Sequence, residues 1–150
     1  MCHFRPYLDY FLSEMSKVYN IVVFTAAYGE YAEKVLNKID INARYIKNII
    51  SRDHCTKINN NFIKDFRVIA NKGISKDDIV MLDNKVISYA YNIFQGVPIL
   101  PYYDDPDDTE LKNVVPFLVQ LANKNNNIRS VLKERYNYNR FNPLVFPNSL

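Results

Sequence analysis

At 150 residues the chain has the length of one domain. Hydrophobic residues at 48% and charged residues at 23% are globular proportions, which exclude an intrinsically disordered chain. A formal net charge of +3 is too small to point to direct nucleic-acid binding, and no apolar run approaches the roughly 20 residues that cross a bilayer.

The N-terminal Met1-Cys2-His3-Phe4-Arg5-Pro6 lacks the charged start and apolar core of a signal peptide. Two cysteines, Cys2 and Cys55, make no disulfide framework, so the expectation is an intracellular domain. Pro6 suits the first turn of a helix, and Leu8, Phe11, Leu12, Met15 and Val18 follow at helical spacing. Ile21-Val22-Val23-Phe24 is a short apolar run with β-branched residues, the signature of a strand buried on both faces. Thr25-Ala26-Ala27-Tyr28-Gly29 turns the chain into a second helical stripe through Tyr31, Val35, Leu36 and Ile39. Strand, small-residue turn and helix in succession predict a parallel α/β sheet.

Residues 44–65 break that rhythm. Residues 45–50 are β-compatible and Asn59-Asn60-Asn61 is a turn signal, which predicts a small antiparallel β insertion. Ile79-Val80-Met81-Leu82 predicts a second buried strand ending in Asp83-Asn84, and Val97-Pro98-Ile99-Leu100 a third, short or at an edge. The acidic run from Asp104 to Asp108 is a loop in which Asp108 or Thr109 caps the next helix. Leu111, Val114, Val115, Leu118 and Leu121 mark that helix, with Pro116 inside it, and a last helix covers about Ile128 to Tyr136. Domain 1–136 is thus followed by a tail, 137–150, of Asn and Pro that hugs the surface or frays.

Ligands of open parallel α/β sheets bind at the carboxyl ends of the strands. Here one strand end is followed by the Thr25 hydroxyl, and another by the acid and amide of Asp83 and Asn84. Such oxygen ligands suit Mg²⁺, and Lys64 could add a point charge on a phosphoryl group. By spacing alone a plainer picture is favoured, with Thr25 as a cap, Asp83-Asn84 as a turn and Lys64 in solvent. A zinc site from Cys2-His3 and His54-Cys55 is not expected, because adjacent ligands chelate poorly.

The ordered motifs carry a family resemblance. Arg5-Pro6-Tyr7-Leu8-Asp9-Tyr10-Phe11-Leu12 resembles the R-P-x-x-D-x-F-L helix of the small C-terminal-domain phosphatases. These share the FCP1-homology, or NLI-interacting-factor-like, domain within the haloacid-dehalogenase (HAD) superfamily. Val23-Phe24-Thr25-Ala26 is similar to the family's V-F-T-A, Arg52-Asp53-His54-Cys55 to R-x-x-C, and Ile63-Lys64-Asp65 to V-K-D. Leu82-Asp83-Asn84 resembles L-D-N, and Asp108-Thr109-Glu110-Leu111 with Pro116-Phe117 resembles D-T-E-L and its downstream P-F. Arg52 to Thr56 and the late Ile128-Arg129-Ser130-Val131-Leu132 resemble the nuclear-envelope, dullard-like branch.

The resemblance implies a three-layer α/β/α HAD-like (Rossmann-type) parallel sheet with the small antiparallel insertion. It implies a Mg²⁺-dependent protein serine/threonine phosphatase acting on phosphopeptides through an aspartyl-phosphate intermediate. Thr25 and Lys64 would be catalytic, Asp83 and Asn84 would hold the metal, and Arg52 and Tyr31 would bind substrate. The partner would be a phosphorylated protein segment, such as the RNA polymerase II C-terminal tail, met in the nucleus, at the nuclear envelope or in the cytoplasm. The family's first strand, with its nucleophilic D-x-D-x-[TV], is not matched within these 150 residues. Asp105-Pro106-Asp107-Asp108-Thr109 fits that pattern only formally and lies in the D-T-E-L loop. The chain by itself is therefore expected to hydrolyse no phosphate monoester and, with strand edges exposed, to fold poorly or self-associate. The alternative from a different class is a non-catalytic peptide-binding module of the same fold. Lys85-Val86 departs from the Ser-Pro usual after D-N and puts an extra cation near the expected metal.

Overall fold

A computed structural model describes residues 3–70, 73–123 and 125–137. Chain contacts divide it into two compact units, each assembled from two stretches of sequence. The first comprises Met1–Asp53 with Leu100–Asn123, and the second His54–Ile99 with Lys124–Leu150.

In the first unit, β1 (Ile21–Phe24) and β2 (Ile46–Ile50) form a parallel pair, with α2 (Gly29–Ile39) between them in sequence. The register runs Ile21 opposite Ile46, then Val22 to Phe24 opposite Asn48 to Ile50, with an irregularity after Ile21. β2 is therefore part of the parallel sheet. This corrects the expected extent of the antiparallel insertion, which residues 45–50 do not enter. A short strand such as Ile46-Lys47-Asn48-Ile49-Ile50 pairs in either sense, and only the helical crossover before it selects the parallel one. Leu12 of α1 (Leu8–Ser16) packs with Tyr45 and Ile46, flanked by Leu8, Phe11, Ile21, Val23, Leu36 and Ile39. α4 (Glu110–Leu121) lies against α1 and buries Leu111, Val115, Leu118 and Leu121. Each such side chain contributes about 1.5–3 kcal/mol by leaving water. The Tyr19 hydroxyl donates to the Leu118 carbonyl at 2.6 Å, and burial pushes its pKa up to about 12.

Two polar fastenings hold this unit. Arg5 grips Asp108 with Nε and Nη2, each at 2.7 Å, and donates Nη1 to the Leu100 carbonyl at 2.7 Å. Both side chains of the pair are 11% exposed, and the Arg5 hydrogen bonds hold the Asp108 carboxyl below its ordinary range. Asp108 also accepts from the Glu110 N–H at 3.1 Å, so it performs the capping for which Thr109, the formal N-cap, offers no side-chain bond. Asp40, at the end of α2, accepts the backbone N–H groups of Arg44, Tyr45 and Ile46. This ties down a loop in which Asn42 and Ala43 are left-handed, at φ 68° and 49°.

The second unit contains the antiparallel hairpin of β3 (Thr56–Ile58) and β4 (Asn61–Ile63), turning through Asn59 at φ 52°. β5 (Met81–Asp83) and β6 (Gly96–Pro98) form a second parallel pair, and the strand expected at residues 79–82 is thus shifted by one or two positions. Pro98, which has no N–H to give a ladder, sits opposite Asp83 at the pair's end, and the Ile99 N–H donates to the Asp83 carbonyl beyond it. Between these strands, Val86–Gln95 forms two short 3₁₀ turns with non-helical Tyr89 and Asn92, which the apolar pattern does not announce. The core is Ile63, Phe66, Tyr89, Val97 and Leu132, the last from α5 (Ile128–Tyr136). Gly96 is dictated by packing: a Cβ there would lie 2.0 Å from the fully buried Tyr89 ring. Among the described residues, β1 pairs only with β2, and β5 only with β6. The tail expected at 137–150 lies, apart from Asn137, outside the described residues.

Candidate active site

Of the expected site residues, Thr25, Arg52 and Tyr31 lie in the first unit, and Lys64, Asp83 and Asn84 in the second. In the first, the parallel ladder continues past β1, with the Thr25 N–H donating to the Ile50 carbonyl at 2.8 Å. The Thr25 Oγ1 then accepts from the Ala27 N–H at 3.0 Å, so the hydroxyl oxygen is set by its own turn. Arg52 follows β2 in a single 3₁₀ turn, Arg52–His54. Its backbone N–H donates to the Ala27 carbonyl at 3.0 Å and its Nε to the Ala26 carbonyl. The structure thus brings Thr25 and Arg52 onto one short loop, Thr25-Ala26-Ala27. Tyr31, in the first turn of α2, is 59% exposed. Tyr28 was not singled out by sequence reasoning, yet its ring centroid is 4.2 Å from the Arg52 Cζ. An aromatic placed where a helix would take a small polar cap was the available signal.

In the second unit, Lys64 leaves β4 with its backbone N–H bonded to the Ser88 carbonyl at 2.7 Å. Its ammonium makes a close ion pair with Asp83 Oδ2 at the end of β5, the two side chains being 14% and 8% exposed. Asp83 Oδ1 accepts from the Lys85 N–H at 2.7 Å, which shapes the turn after the strand and leaves Asn84 exposed beside it. The departure from Ser-Pro at Lys85-Val86 is accommodated by this turn. Lys64 and Asp83, 19 residues apart in sequence, are therefore a part-buried pair in space. The neighbouring Asp65 is anchored by Arg67: burial raises its pKa, but the Arg67 hydrogen bonds and charge carry it below the ordinary carboxylate range.

Mg²⁺ needs only one or two carboxylates among hard oxygen ligands, completing its shell with water and phosphate oxygens. The Asp83 carboxylate and the Asn84 amide oxygen match that donor chemistry. No group of three or more His, Cys, Asp or Glu that could hold a metal occurs among the described residues, so a softer, fully protein-ligated site is not assembled there. Asp105-Pro106-Asp107-Asp108-Thr109 sits in a loop, where Asp105 accepts from the Asp107 N–H and Asp108 is committed to Arg5. It has no strand to present it.

The chain belongs to the NLI interacting factor-like phosphatase family, whose family model matches residues 1–129. It is 33% identical over 132 residues to CTD small phosphatase-like protein 3 of Caenorhabditis elegans, covering 88% of this chain and 45% of that protein. It is 35% identical over 138 residues to CTD nuclear envelope phosphatase 1B of Danio rerio, covering 92% and 55%. Nuclear envelope morphology protein 1 of Saccharomyces cerevisiae is 31% identical over 149 residues, covering 93% and 33%. The chain spans about half or less of the length of these relatives. The solved structure of Fcp1, an essential RNA polymerase II CTD phosphatase, shares the fold with a TM-score of 0.59 at 19% identity, covering 88% of this chain and 46% of Fcp1. The α/β class expected from the motifs, with parallel strands and a small antiparallel hairpin, is thus the class observed.

Proposed function

We propose that this chain provides the substrate loop and the charged strand end of a Mg²⁺-dependent protein serine/threonine phosphatase acting on extended phosphopeptides. The observation that carries this is the part-buried Lys64–Asp83 ion pair at the end of β5, with an amide oxygen donor next in sequence. A lysine held this way costs little reorganisation when negative charge develops on a phosphoryl group. Asp83 and Asn84 would hold the metal, which when bound supplies charge neutralisation on the phosphoryl oxygens. Thr25 would hydrogen-bond a phosphoryl oxygen, Arg52 would pair with a phosphate or carboxylate of the peptide, and Tyr31 would line its path. The nucleophilic aspartate of the family comes from D-x-D-x-[TV], which has to be supplied together with these residues.

The names of two relatives support an assignment to the nuclear envelope, although no helix among the described residues is long and apolar enough to cross a membrane. The decisive experiment joins this chain to a segment bearing D-x-D-x-[TV] on an apolar strand. That protein hydrolyses a phosphoserine peptide only with Mg²⁺. Metal-independent turnover defeats the proposal, and peptide binding without turnover marks a non-catalytic binding module instead.

A further inference from the structure

Tyr28 is the N-cap residue of α2, a position where a short oxygen-bearing side chain ordinarily bonds the first turn. It makes no such bond, and it leaves an aromatic ring 64% exposed. Neither helix stability nor core burial accounts for a tyrosine there. Instead its ring lies beneath the Arg52 guanidinium, 4.2 Å from Cζ to centroid. The same arginine is bonded through Nε to the Ala26 carbonyl and through its backbone N–H to the Ala27 carbonyl. Three consecutive residues thus hold Arg52 by one edge, by its main chain and by its flat face. A long side chain with many rotamers is given one plane before any substrate arrives, and such pre-organisation reduces what binding must spend on ordering it.

We infer that Tyr28 is a positioning residue, whose ring sets the Arg52 guanidinium in the orientation that meets the oxyanion of a phosphopeptide; this rests on the substrate-binding reading of Arg52 above. The ring acts through its π face, so the Tyr28 hydroxyl is dispensable and the aromatic ring is not.

The test uses the joined protein described above with isotope-labelled arginine, kept free of Mg²⁺ so that the peptide is bound and not hydrolysed. Arg52→Lys identifies the Arg52 Nε–Hε resonance by removing it. In Tyr28→Leu that resonance moves downfield as the shielding of the ring is lost, and in Tyr28→Phe it stays in place. Preference for a phosphoserine peptide over its serine counterpart falls about two- to fivefold in Tyr28→Leu, the size of an exposed cation–π contact, and returns in Tyr28→Phe. A resonance unmoved in Tyr28→Leu overturns the stack. A resonance that moves while phosphopeptide preference falls in Arg52→Lys but not in Tyr28→Leu overturns the positioning role alone. Unchanged preference in Arg52→Lys overturns the reading of Arg52 and the positioning role with it.

Discussion

The two parallel strand pairs end in polar residues that are fastened in opposite ways. After β1, Thr25 is held by neutral hydrogen bonds within its own turn, and Arg52 is held by two carbonyls and a ring. At the end of β5, Asp83 is a nearly buried charge whose main support is another charge, Lys64. A neutral turn loses about one hydrogen bond when a member is altered, whereas a buried ion pair that loses a member strands its partner. The first strand end is thus held by local contacts to main chain and ring, and the second by its charge balance.

Substitutions sharpen this contrast. The largest effect belongs to Lys64→Ala: in the joined protein described above, Mg²⁺-dependent turnover falls about 10²–10³-fold. The same change destabilises the second unit because Asp83 is left buried without its cation. Turnover within threefold of the unaltered protein removes Lys64 from the chemistry. Gly96→Ala comes next. Forcing a Cβ against the Tyr89 ring costs about 1–3 kcal/mol in urea denaturation, with no direct effect on the first unit. An unchanged midpoint contradicts the packing described.

Asp40→Ala removes the acceptor of three N–H groups and costs about 1–3 kcal/mol, read by thermal or urea unfolding. It also changes the acid limb. Burial raises the Asp40 carboxyl, but the N–H groups of Ile46, Tyr45 and Arg44, with the Lys47 charge, bring it below its ordinary value. A carboxyl with a folded pKa below the unfolded one stabilises the fold above about pH 4 and loses that contribution as pH falls through the folded value. Stability measured from pH 5 downwards therefore declines less steeply in the variant. Arg52→Ala weakens turnover of a phosphopeptide by about tenfold, the loss of one charge-assisted contact, and that of a small aryl phosphate far less. Equal losses on both substrates contradict a peptide-binding role. Thr25→Val removes the turn bond to Ala27 and lowers stability by about 0.5–1.5 kcal/mol, the smallest structural effect of the series.

Sequence alone determined the elements whose signal is local. Ile21–Phe24 is a strand because β-branched residues run unbroken between turn residues, and Ile128–Tyr136 is a helix opened by Asn127, whose side chain caps Ser130. The ordered motifs also named Lys64, Asp83, Asn84, Thr25, Arg52 and Tyr31 without saying which would touch. Tertiary structure alone decided that Ile46–Ile50 joins β1 in parallel, since pairing sense depends on the crossover and not on the strand's own residues. It alone placed Lys64 on Asp83, Arg5 on Asp108 and Tyr28 beneath Arg52. Those contacts join residues 19, 103 and 24 positions apart, where backbone periodicity carries no information and only the folded path of the chain sets the distance.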